Sequence, residues 1–584
     1  MAARRLDKVS HTMQPRKLLA RLAILSAATV VCLLAAFIVP SLVRNRGIDE
    51  AFTGASVIAS PRDMLVVAQP VRLSAAPDLV LARGSLYADG NAALGTPISR
   101  FVLDGPLFNL NVAGPAVPAK PLNAAEDLMP LMEQLLNAAY DTLIIRRGQA
   151  QIIGADGSSE TLSEIEAEVA GRRKGQVTLR GSFSYRGQRI KFDTSLAHLA
   201  EKKGAQRWQV KTALKSAFID ATFYGVADAT RDLQLAGAAD LTIPSLRRVA
   251  RWLSLPVPNA EGLNAAALKG QLTWARNALS LEQAKVVIDS NEGNGTLSLN
   301  LNGERPLIDG TLAFTAVDLA PYVDGLRPQT FGFERPSTSW SQLDLSFPLV
   351  RYIDTDLRIS TPRLTFKGFD MGRTAATFTV RAGKLLADVA EMELGAATAN
   401  LEMTADTNEV VPRYTLKGKV QNFDAAQSAA ALLSSAAWSG KGTLTFDLSG
   451  TGQATGEVVR TLSGKAALTM PQGARIPMDT KALKAATKQG PQTGWSSLLK
   501  GQTTLETLEL RASVANGTLS IEPPAGKPAS TPLGVSGSVN LAEGEIDLLL
   551  GTGADALSIS GGLSAPVLGD ARGGPASAKG SERN

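Results

Sequence analysis

Cysteine is almost missing from this chain of 584 residues: there is one, Cys32, inside an apolar run. Beyond that run no disulfide framework and no thiolate metal centre is available. Histidine is nearly as scarce, with His11 and His198 alone, so imidazole metal centres and histidine-centred triads have almost nothing to build on. Aromatic residues make up only 5% of the chain, with 6 Trp and 7 Tyr, which leaves few stacking platforms for a sugar-handling enzyme. A G-x-S-x-G elbow, a Walker loop and an H-E-x-x-H helix are all lacking. The expectation is a protein with no catalytic residues, no cofactor and no metal.

Basic charge is also scarcer than the total suggests. The formal charge is +6, but residues 1–46 hold eight Lys/Arg against one acid, which leaves about −1 for everything after them. Such a body offers no broad basic surface, so nucleic acid is not an expected partner.

One long apolar run is present. Leu22 to Val43 contains no charge, and 22 residues at about 1.5 Å each reach roughly 33 Å, enough to cross a bilayer core. Its apolar surface comes from Leu22, Ile24, Leu25, Val30, Val31, Leu33, Leu34, Phe37, Ile38, Val39, Leu42 and Val43. Arg4, Arg5, Lys8, Arg16, Lys17 and Arg21 precede it, against Arg44 and Arg46 after it. This asymmetry places residues 1–21 in the cytoplasm and the body across the membrane. A cleaved signal peptide would have a shorter core and a small-residue site directly behind it, and this run has neither.

After residue 60 the prevailing pattern is alternation with a period of two, the mark of strands with one buried face. Leu297, Leu299 and Leu301 share a face, as do Leu444, Phe446 and Leu448, and Ile546, Leu548 and Leu550. Asp-Gly and Asn-Gly pairs begin at Asp89, Asp104, Asp156, Asn302, Asp309 and Asn516; these supply the positive φ of hairpin turns. With 53 Gly and 30 Pro, the composition suits short strands and tight turns. The expected fold is mainly β: one N-terminal transmembrane helix, then an elongated, bent, trough-like antiparallel sheet with a few short helices. Those helices are predicted over 123–140, over Ser245–Leu253, over about Asp424–Trp438 and from near Asp479. A tail over 570–584, made of Gly, Ala, Ser and charged residues, is expected to be disordered.

Three smaller signals have bland readings. Gly551, Gly553 and Ala556 imitate a dinucleotide fingerprint, but Leu557–Ser560 alternates like a strand where the fingerprint needs a helix. Asn294 and Asn516 stand in glycosylation patterns that hairpin turns alone explain. His198 reads as an exposed or capped residue at a strand end.

The last third resembles the C-terminal domain of the AsmA family. The resemblance is carried by Leu416, Lys417 and Gly418 with Phe423 and Asp424, by Leu462, Ser463 and Gly464, by Gly473, Ala482 and Leu483, and by Leu508, Glu509 and Leu510 leading to Asn516 and Gly517. The stretches Gly537–Leu541, Glu545–Leu548, Ile559–Gly561 and Leu563–Pro566 read as that family's closing meander. Arg305–Gly310, Leu312–Phe314, Asp318, Leu319, Tyr322 and Asp356–Ser360 are similar to the middle of its longer members. Where the family shows a second glycine after Gly473, this chain has Ile476, Pro477, Met478 and Asp479, which leaves the start of the following helix open.

The resemblance implies a Gram-negative inner-membrane protein with a periplasmic body. That body divides into a β-rich N-terminal and middle region over 44–410 and a C-terminal domain over 411–569. It also implies a role in lipid transport and outer-membrane biogenesis, with phospholipid, the inner membrane and outer-membrane assembly components as partners. On that basis Leu297, Leu299, Leu301, Leu444, Phe446, Leu448, Ile546, Leu548 and Leu550 are the candidate lining of a lipid groove. Alternation alone fits an ordinary dry sandwich core equally well. Two other classes stay open: a scaffold that acts on outer-membrane protein assembly without moving lipid, and an envelope hydrolase.

Overall fold

The computed structural model describes residues 56–57, 64–67, 71–73, 76–89, 100–111, 142–153, 159–170, 176–199, 207–228, 234–255, 261–322, 348–366, 369–426, 439–479, 501–522, 534–551, 556–563 and 565–570, with a few isolated residues beside these. The anchor expected over 22–43, the helix over 123–140 and the tail expected over 570–584, apart from Asp570, which ends a strand, lie outside them. Among the described residues no helix is long and apolar enough to cross a membrane. The chain divides into two compact units. The first holds residues up to 256 with Leu263–Asp289 and Gly293–Gly310; the second holds Val257–Gly262, Ser290–Glu292 and the residues from Thr311 onward.

In the first unit the strands are β1 (Ser56–Val57), β2 (Met64–Val67), β3 (Val71–Leu73), β4 (Ala76–Asp89), β5 (Arg100–Asn111), β6 (Thr142–Ile153), β7 (Ser159–Ala170), β8 (Gln176–Tyr185), β9 (Gln188–His198), β10 (Arg207–Lys215), β11 (Asp220–Asp228), β12 (Gln234–Ile243), β13 (Ala266–Ala275) and β14 (Ala278–Ile288). β15 (Asn291–Asn300) and β16 (Leu307–Phe314) fall at the division. From β6 to β14 each strand pairs antiparallel with the next, as the alternation predicts. Two described pairs depart from the antiparallel expectation: the short β17 (Val317–Asp318) and β19 (Leu364–Phe366) of the second unit, and here β5 and β6, which run parallel with Arg100 opposite Thr142. A parallel pair needs a crossover of a dozen or more residues, and the predicted helix over 123–140 falls in that connection.

The second unit repeats the plan. Its long meander uses β18 (Asp354–Thr361), β21 (Thr374–Arg381), β22 (Lys384–Leu394), β23 (Ala397–Asp406), β24 (Arg413–Asp424), β25 (Lys441–Thr451), β26 (Ser463–Met470), β30 (Leu508–Ala515), β31 (Thr518–Glu522), β32 (Val535–Asn540), β33 (Glu545–Leu550), β34 (Leu557–Gly562) and β35 (Val567–Asp570). Consecutive members of this series pair antiparallel throughout. β17 (Val317–Asp318), β19 (Leu364–Phe366) and β20 (Phe369–Met371) form a small sheet of their own, as do β27 (Ala474–Ile476) and β29 (Thr503–Leu505). β28 (Gln492–Thr493) pairs with β35.

Hairpins close through two-residue turns with positive φ at both positions: Arg186 and Gly187, Arg276 and Asn277, Ala382 and Gly383, Asn516 and Gly517. Only the last was signalled by composition. Asp104 and Asp309 lie within β5 and β16 instead of in turns, and Asn294 within β15, so turn chemistry does not explain those three. Positive φ also marks Arg147, Glu164 and Asn422, where the register slips in β6, β7 and β24. These are bulges, which bend a strand and raise its twist.

Helices are short. α1 (Leu246–Trp252) lies within the predicted span and is capped by Ser245, whose Oγ accepts from the Arg248 amide at 3.3 Å. It is held by Trp252, whose ring meets Tyr185 edge-on at 5.5 Å and whose Nε1 donates to the Tyr185 carbonyl. α2 (Thr455–Arg460) follows β25 and was not foreseen. Ala425 and Ala426 open the helix expected from Asp424, whose remainder lies outside the described residues. Asp479 caps the next turn, its Oδ1 accepting from the Ala482 amide at 3.0 Å.

Candidate apolar ligand face

Because side chains alternate across a sheet, the registers sort every strand of the second unit onto two faces. One ladder crosses the meander through Ile359, Ala376, Val389, Leu401, Gly418, Phe446, Ala466, Ala512, Ile521, Gly537, Leu548, Ile559 and Leu568. Every member is apolar or glycine. The ladder next to it runs through Arg358, Thr377, Asp388, Glu402, Lys417, Asp447, Lys465, Ser513, Ser520, Ser538, Asp547 and Ser560, without one apolar side chain until it ends at Val567 of β35. From β18 to β34 the sheet of the second unit is therefore two-faced.

Burial divides the apolar face. From Ile359 to Leu548 the members of that ladder are all half-buried. Beyond them Ile559 is 2% and Leu568 0% exposed. In the next apolar row Leu416, opposite Leu448, is 39% exposed, so water reaches the middle of this face. Strand ends are closed instead: Thr361, Met392, Ala399 and Met470 are buried at one end, and Val380, Ala405, Tyr414 and Val514 at the other. At the first end, Leu364 of β19 packs with Met392 and Ala399. At the second, the Tyr414 hydroxyl donates to the Leu345 carbonyl at 2.7 Å.

Glycines on this face take the overhang of large neighbours. A Cβ on Gly418 would overlap the Phe446 ring and meet Leu401 Cδ2 at 2.7 Å. In the first unit the same holds for Gly181 beneath Phe192, at 2.6 Å, and for Gly270 beneath Leu281, at 2.9 Å. That unit also has covered and half-open zones. Leu179, Phe183, Phe192 and Leu196 on β8 and β9 are buried. On the same face, Val210, Phe223, Gly237 and Leu272 on β10 to β13 are half-buried.

The expected lining residues fall into three groups. Leu444, Phe446 and Leu448 lie together on the half-open part of the face, and Leu548 at its limit. Ile546 and Leu550 are corrected: they are 4% and 5% exposed and belong to a closed core with Leu505, Leu557 and Leu568, so they line no accessible groove. Leu297 and Leu299 are half-buried in β15 of the first unit and Leu301 is half-buried just past its end, with Leu297 leaning over Gly310. Alternation did not single out Gly418, Ala466 and Ala512, which make up the floor between the large side chains; they emerge only once cross-strand register is known.

Charge stays off this face. Lys417 and Asp447 pair at 3.9 Å on the polar side, and Lys269 and Asp240 at 2.7 Å in the first unit. The hydrogen bond from Arg147 holds the Asp104 carboxyl below the usual carboxylate range, and Lys384 does the same for Asp406. All are exposed or half-exposed pairs of small energetic weight. Among the described residues no group of three or more His, Cys, Asp or Glu side chains gathers in a metal-holding arrangement. His198 ends β9 in an exposed position, edge-on to Trp208 at 4.7 Å. A strand, β34, follows Gly551, where a dinucleotide site would need a helix.

What the arrangement offers is an extended apolar strip, polar on its back and closed along its strand ends, suited to a long hydrocarbon. Comparison with protein-family models, curated proteins and solved structures finds no match for this chain.

Proposed function

We propose that this chain is an AsmA-like protein, anchored in the inner membrane by residues 22–43, whose periplasmic body binds phospholipid along its half-open apolar face and so supports outer-membrane homeostasis. In this reading the sheet is a trough: acyl chains lie along Leu401, Phe446, Ala512 and Ile521, and headgroups stay at the lip. The observation that carries it is the half-burial of an unbroken apolar ladder from Ile359 to Leu548 beside a ladder with no apolar member. A dry sandwich would bury that row against an opposing layer. Bulges and overhung glycines support the bend, since both let a sheet curve toward one face.

Each acyl methylene taken from water contributes about 0.8 kcal/mol, so a strip without polar recognition suffices for binding. Phe446→Glu or Leu448→Glu places a carboxylate in the strip. Lipid that copurifies with the wild-type chain should then fall by about tenfold or more, because an unpaired charge resists burial. Asp447→Ser, on the polar back, should leave it unchanged. Equal lipid in a folded Phe446→Glu protein would favour the scaffold reading, in which the chain acts by contact with outer-membrane assembly components.

A further inference from the structure

Between the paired strands β26 and β30 the chain leaves the meander, and it returns only at Leu508. This excursion does two things at the far edge of the sheet. Its Met478, Leu483 and Leu505 close over Ile559 and Leu568 in one buried cluster, against which Val535 and Val539 of β32 and Leu548 of β33 also pack, so protein there occupies the face that is half-open from β18 to β31. Its β28 then pairs with β35, Gln492 opposite Leu568, and so covers the edge strand as well. The excursion is tied to itself by the β27–β29 pairing and by Asp479, which caps the turn that carries Leu483.

We infer that Met478, Leu483 and Leu505, with β28 on the sheet edge, form a stopper that ends the lipid track at β32, so that acyl chains occupy the face from β18 to β31 and never pass over β34 and β35. The inference rests on the lipid-groove reading. It makes that groove blind at its C-terminal edge: cargo enters and leaves at other points along the face. Eight strand spacings from Ile359 to Ile521, at about 4.8 Å each, give roughly 38 Å of track measured along the sheet. A bilayer core of about 30 Å holds two acyl chains end to end, so this track is finite but long enough for more than one chain.

The test uses the full chain reconstituted in phospholipid vesicles in which one acyl chain carries a diazirine. After illumination, adducts are mapped by peptide mass spectrometry. Adducts should fall on Phe446 and Ile521, with a yield at Ile559 and Leu568 at least about tenfold lower, the ratio that 1.4 kcal/mol in occupancy produces. Loosening the stopper with Met478→Ala and Leu505→Ala should bring adducts onto Ile559. Similar yields at Phe446 and Ile559 in the wild type would overturn the stopper and leave the groove standing. No adducts on any ladder residue would remove the groove, and the stopper with it.

Discussion

At the scale of single residues, the apolar face is shaped as much by what is missing from side chains as by what is there. Gly418 sits under the Phe446 ring with Leu401 beside it, so any Cβ must push one of them aside. Gly418→Val should cost about 1–3 kcal/mol, the usual penalty of overpacking. Phe446→Ala in the same chain should recover part of that loss, and denaturant unfolding of the two single variants and the double variant measures it. Strictly additive losses would mean that the two residues do not touch. On the opposite side, Asp406 accepts from Lys384 at 3.0 Å and from the Asn408 amide at 3.1 Å, and both bonds favour its charged form. A carboxyl depressed in the folded state contributes stability above its unfolded pKa, about 3.9, and loses that contribution as pH falls through the folded value. The stability gap between wild type and Asp406→Asn should therefore be constant near neutrality and shrink below about pH 4; a gap unchanged in acid would contradict the pairing. Residues of this kind were poorly legible in the sequence. Asn516 and Gly517 announce their turn, but Arg186, Arg276 and Ala382 take positive φ only because a two-residue hairpin between long strands demands it.

At the scale of elements, period-two alternation is what the sequence stated most clearly. Thr443–Ser449 lies inside β25 and Ile546–Leu550 inside β33. The parallel partnership of β5 and β6 was not visible, since strand direction depends on a connection and not on a strand's own residues. Nor was α2, a helix of six residues with no side-chain cap. The helix α1 was legible because Leu246, Val249 and Leu253 fall on one side and Arg247, Arg248 and Arg251 on the other. Its anchor, Trp252, reaches two hairpin turns earlier in the sequence, packing on Tyr185 at the β8–β9 turn and Phe218 of the β10–β11 turn and bonding to the Tyr185 carbonyl. Trp252→Ala should lower stability by about 3–5 kcal/mol, and Ser245→Ala by about 1 kcal/mol. Thermal unfolding of the two variants separates them, and equal small losses would mean that the helix is not docked through its tryptophan.

At the scale of the molecule, strand periodicity predicts a greasy face but not whether protein covers it. That depends on register, on where the chain leaves the meander and on which segment returns over the sheet. The same alternation produces Phe446, half-open, and Ile546, sealed; the difference lies in Met478, Leu483 and Leu505, whose return over the sheet no local pattern specifies. The account therefore rests on the accessibility of one strip of sheet. Native mass spectrometry of the detergent-solubilised full chain tests it most directly. The account predicts mass additions of phospholipid that survive gentle activation and disappear in Phe446→Glu. A single lipid-free mass for a folded wild-type chain would contradict it.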